Sequence, residues 1–162
     1  MEKELKFIGD IFHAVVFDGF PNRLKDLMGE GGAVALLREG VAAGIRKAAE
    51  RGVIPNETTK GNDVQSKFEF CYNLLNIAGF EFQREVVTDT PDFFSEKVTI
   101  CPHAEFTRRE PIACNACLGM KIGIFEAAFG KVPRIVVKKK IATGDEFCLF
   151  EVYPKEEFEG LG

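Results

Sequence analysis

The chain has 162 residues, 46% of them apolar and 28% charged, and carries a net charge of −4. That is the size and balance of one globular domain with its own core, and it excludes a disordered or low-complexity segment. The acidic balance counts against a nucleic-acid binder, and the sequence holds no apolar run of about eighteen residues that could span a membrane.

The start, Met1-Glu-Lys-Glu-Leu5, is not a secretory signal, so the expected location is the cytoplasm, where cysteines stay reduced. Apolar positions at Leu5, Ile8, Ile11, Phe12, Val15 and Val16 predict a helix from Leu5 to Phe17. His13 inside it reads as a packed or surface residue. Gly19-Phe-Pro21-Asn22 is expected to break the pattern and start a short helix over Arg23 to Met28. Gly29-Glu-Gly31-Gly32 interrupts again. A strong helix follows from Ala33 to Arg51, with Val34, Leu37, Val41, Ile45 and Ala48 on one face and Gly52 at its end. Gly40 and Gly44 lie four apart on this helix and predict close approach of another backbone, within the core or across a dimer.

A loop is expected around Pro55, and Asn62 or Asp63 is placed to cap a helix reaching about Ala78. Cys71 falls on its apolar stripe and reads as an inert buried thiol. After Gly79 the periodicity changes to alternation. Phe80 and Phe82 lead into a strand through Val86-Val87-Thr88, and Phe94, Val98 and Ile100 make a second, with Cys101 at its end. Thr107 to Pro111 reads as a polar loop, and Cys114 to Phe129 as a helix stopped by Gly130. Val132 to Ile141 and Phe147 to Tyr153 read as a hairpin. Pro154 to Gly162 reads as a mobile tail. The expected fold class is α+β, a single domain with N-terminal helices over residues 1–79 packed on a four-stranded antiparallel sheet with one inserted helix over residues 80–153.

Four of the five cysteines and one of the two histidines fall between Ile100 and Phe150, as Cys101-Pro-His103, Cys114-Asn-Ala-Cys117 and Cys148. Thiolate and imidazole are the ligands that zinc prefers, and four of them close a tetrahedral site. Cys101, His103, Cys114, Cys117 and Cys148 are therefore the candidate metal ligands, with the four cysteines favoured and His103 as a replacement ligand or supporting group. One zinc per chain is expected, in a structural role. An iron–sulfur cluster or a redox C-x-x-C are the minor alternatives. No nucleophile elbow, phosphate-binding loop or H-E-x-x-H motif is present.

Cys101-Pro, then Cys114 followed by Gly119 and Gly123, then Gly144-Asp-x-x-Cys148-x-Phe150 resemble the 4-vinyl reductase domain, a small-molecule-binding module of bacterial phenol sensors and archaeal stand-alone proteins. The helix bearing Gly40 and Gly44 resembles the paired-glycine helix of the wider superfamily, which includes haem nitric-oxide-binding domains and Golgi transport-particle subunits. The resemblance covers about Gly29 to Tyr153. It implies helices on a four-stranded antiparallel sheet, a homodimer built on the helical half, an apolar pocket between helices and sheet, and in some members a zinc ion. The chain departs from the phenol sensors where they carry a Glu and a Cys before the final hairpin, for here stand Val137 and Lys140. The same cysteine pattern is also similar to thiazoline-carboxylate hydrolases. The leading expectation is a non-catalytic sensor binding a small apolar or aromatic molecule beside a zinc site. The alternatives are a metal-dependent reductase or hydrolase and a structural or assembly subunit.

Overall fold

The structure, a computed structural model, describes residues 10–11, 13–52, 64–77 and 79–157. The expected helix start at Leu5, the loop around Pro55, the caps Asn62 and Asp63, the thiol of Cys71 and the final residues 158–162 lie outside the described residues.

Helices fill the N-terminal half. A π-helical segment, Ala14–Gly19, runs without a break into α1, Phe20–Ala35. The break expected at Gly19 to Asn22 is absent. Pro21 lies in the first turn of α1, inside a continuous helical run, where its fixed φ suits the helix although it donates no N–H to the turn before it. The real interruption is Gly29, whose φ of 74° only glycine adopts without strain. Another π-helical segment, Leu36–Gly40, leads into α2, Val41–Glu50, and Gly52 follows with φ 73°. Helix α3 is Val64–Ile77.

The second half alternates strand and helix. Strands β1, Gln83–Asp89, and β2, Phe94–Ile100, form a hairpin. A short helix α4, Ala104–Arg109, stands where a polar loop was expected. Its reason is local. The Thr107 hydroxyl and backbone N–H both donate to the His103 carbonyl, while Glu105 lies in the first turn and Arg108 and Arg109 in the last, as the helix dipole favours. Helix α5, Cys114–Phe129, ends at Gly130 with φ 75°, as the sequence indicates. Strands β3, Pro133–Lys139, and β4, Cys148–Glu157, complete a four-stranded antiparallel sheet in the order β1-β2-β4-β3. Strand β4 runs through the segment expected to be a tail, because Glu157 pairs with Pro133 and Lys155 forms an ion pair with Asp92.

Helix α5 is the centre of the domain. Every residue from Gly119 to Phe125 is buried. Met120, Ile124 and Phe125 join Leu37 from the helical half and Phe94, Val98, Ile135 and Val152 from the sheet in one core. A helix with no solvent face must admit its neighbours closely, and glycine makes that possible. A Cβ on Gly119 would fall on the Arg38 carbonyl, and one on Gly123 would meet the Ala42 carbonyl oxygen at 2.8 Å. The close backbone approach expected at Gly40 and Gly44 is therefore made at Gly119 and Gly123. Gly40 meets only Leu36 of its own helical run, and Gly44 has nothing within 4 Å.

Gly123→Ala should lower stability by about 1–3 kcal/mol, since the Ala42 carbonyl and the β-branched Ile45 side chain leave little room for repacking. Gly44→Ala should be neutral or raise stability by up to about 1 kcal/mol, through helix propensity alone. Urea unfolding of the two variants measures the contrast.

Candidate metal and ligand site

The five candidate ligands converge. Cys101 and His103 follow the end of β2, Cys114 and Cys117 occupy the first turn of α5, and Cys148 opens β4. All five line one cavity of about 80 Å³ between α5, the sheet and α3. Each thiol raises the pKa of others, and together these effects link all six pairs of the four cysteines. Burial is the first cause. It pushes the Cys101 and Cys114 thiols up to about 12 and Cys117 upward as well. Opposing this, the sulfurs receive hydrogen bonds. Cys148 Sγ accepts the Ile141 N–H at 3.4 Å, Cys101 is bonded by the His103 backbone, and Cys114 by the Thr107 side chain. Among the described residues, however, no three His, Cys, Asp or Glu side chains stand close enough to share one metal ion.

His103 is 1% exposed and stacks on Phe17, ring centre to ring centre 4.0 Å. Its Nδ1 is in contact with Nε2 of His13, the residue taken as bland in the sequence. The pair sits among Phe80, Phe82 and Phe106. Burial first, then His13, lowers the His103 pKa to about 3, so the ring is neutral. Its Nε2 is buried and has no hydrogen-bond partner among the described residues. Such an atom is uncommon in a folded interior and marks a place for a missing partner.

The sequence also gave no warning of a buried polar chain on the far wall. Lys121 Nζ donates to Tyr72 Oη at 2.6 Å, and Tyr72 Oη donates to Glu96 Oε1 at 2.7 Å. Arg84 pairs with the other Glu96 oxygen at 3.1 Å. Burial, then Glu96, holds the Tyr72 pKa well above its usual range, so its proton stays in place. The available signal was Lys121 itself, a lone charge between Met120 and Ile122. A fully buried helix cannot be told from an amphipathic one by spacing, which is why it was missed. Lys121 and Lys140 line the cavity, and no carboxylate does.

With this geometry in view, comparison with known proteins is informative. The model of methanogen output domain 1, MetOD1, matches residues 45–153. The chain belongs to this family, within the 4-vinyl reductase-like superfamily. The MetOD1 chain is similar in fold to the phenol-responsive sensory domain of the transcription activator PoxR with phenol, at TM-score 0.62 and 16% identity, covering 90% of this chain and 74% of that one. It is also similar to trafficking protein particle complex subunit 3 from Naegleria fowleri covalently bound to palmitic acid, at TM-score 0.65 and 13% identity, covering 98% and 99%. No curated protein matches the chain. No helix among the described residues is long and apolar enough to cross a membrane.

A histidine whose pKa falls from 6.5 to about 3 on folding keeps its stabilising effect above pH 6.5 and loses it as pH falls towards 3, by about 1.4 kcal/mol per pH unit in that window. Thermal melts from pH 7 to pH 4 should therefore fall more steeply for the wild type than for His103→Gln.

Proposed function

We propose that this MetOD1 domain is a sensory, ligand-binding module without catalysis of its own. Its ligand is a small apolar or aromatic molecule carrying one hydrogen-bonding group, seated in the cavity under α5. The observation that carries this reading is the unpartnered Nε2 of His103 in a wall otherwise rich in Phe82, Val98, Leu118 and Phe150. A neutral imidazole is suited to a hydroxyl and not to a carboxylate, because it offers one neutral hydrogen bond and no charge. The phenol held by the PoxR sensory domain supports the same class of ligand.

A metal centre on the cysteines is the other half of the proposal. The donor set fits it in chemistry. Four soft thiols, three of them receiving hydrogen bonds, are what zinc or another thiophilic metal takes, and His103 stands beside them. Zinc on four of Cys101, His103, Cys114, Cys117 and Cys148 would supply a structural tie between the end of β2, the start of α5 and the start of β4. Free thiols in this number suit a cytoplasmic location. A homodimer through the N-terminal helices is part of the reading, since Ile11, Val15, Leu27 and Met28 leave apolar surface exposed there.

Phenol should raise the melting temperature more than benzene does. At one hundred times its Kd it should add about 2.7 kcal/mol, and the preference for phenol should vanish in His103→Leu. If no apolar molecule raises the melting temperature, the ligand half fails. Light scattering should show a dimer in the wild type that is weakened in Leu27→Glu.

A further inference from the structure

A single tetrahedral ion draws its ligands to a point. With metal–sulfur bonds of about 2.3 Å, four such sulfurs stand about 3.8 Å apart and leave no space for a water molecule among them. The cysteines here are arranged differently. All four line one cavity, yet no three donors among the described residues converge on one position. The cavity they share holds about 80 Å³, the room of several water molecules. A four-iron, four-sulfide cluster puts each cysteine on its own iron, with inorganic sulfide in between. It therefore needs four thiolates spread around a volume.

We propose that Cys101, Cys114, Cys117 and Cys148 form the cradle of an iron–sulfur cluster. The proposal rests on the metal half of the reading above: the cluster stands in place of the zinc, in the cavity that would otherwise hold the organic ligand.

Three further features fit a cluster. Four thiolates outweigh the positive charge of a cluster core, so the assembled centre is anionic. Lys140 acts on Cys114, and Lys121 acts on Cys117, although Lys121 is itself paired with Glu96, whose charge opposes it there. Hydrogen bonds to the sulfurs, such as that from the Ile141 N–H to Cys148 Sγ, stabilise the cluster's reduced, more negative state. Phe82, Val98, Leu118 and Phe150 surround the thiols with apolar surface that limits access of water.

The test is the composition of the full chain purified without oxygen, and again after reconstitution with ferrous iron and sulfide. Iron and acid-labile sulfide in equal amounts, with a broad visible absorption that bleaches on dithionite, are the expected result. Cys114→Ala and Cys148→Ala should each lose this absorption while circular dichroism reports an unchanged helix content. Should either variant unfold, the wild-type composition still decides. One zinc per chain with neither iron nor sulfide overturns the cluster and leaves the metal reading standing. Iron without sulfide also overturns it, because it marks a single-ion site. No metal taken up under either condition overturns both.

Discussion

Burial of helix α5 on every side from Gly119 to Phe125 is the constraint on which the rest of this domain depends. The helix is covered by the helical half on one side and the sheet on the other. Two glycines admit the backbone of Arg38 and Ala42 at distances no side chain would allow. That fit fixes where the helix starts. Its first turn carries Cys114 and Cys117, so the packing of Gly119 and Gly123, further along the same helix, against the backbone of Arg38 and Ala42 also sets the position of two thiols. The core and the site are coupled through one rigid element.

Burial sets the chemistry of the cavity as well. In water an imidazole titrates near neutrality and a thiol about one to two pH units above it. Here desolvation pushes the cysteines towards the neutral thiol and His103 towards the neutral ring. Left alone, the site is a set of uncharged, weakly reactive groups. The hydrogen bonds to sulfur and the two lysines work in the opposite direction and favour negative charge at the thiols. Groups held neutral by burial beside groups arranged to support an anion are what a site needs if its charge arrives with its occupant. The buried chain from Lys121 through Tyr72 to Glu96 and Arg84 belongs to the same balance, because every charge in it has a partner.

Much of this was legible in the sequence. The end of α5 at Gly130, the β2 strand leading to Cys101, and the pairing of β3 with β4 follow from glycine placement and alternation, which are local properties. So does the gathering of the cysteines at element ends. The expected breaks were less faithful. Residues 19–22 were taken to break one helix before starting the next, but the helical run is continuous there, and residues 107–109 were taken for a loop but form a helical turn closed on His103. In both places a short-range cue had two outcomes, and neighbouring segments chose between them.

The sequence by itself determined the α+β class, the family and the five residues that surround the cavity, because periodicity, capping and ligand chemistry are carried by residues near one another in the chain. Only the tertiary structure decided which glycines face backbone, that His13 meets His103 across ninety positions, and that Lys121 is buried against Tyr72 and Glu96. Contacts of that kind depend on which face of a largely apolar helix meets which neighbour. Helical spacing does not encode that choice, since every face of such a helix looks alike in sequence until the packing is made.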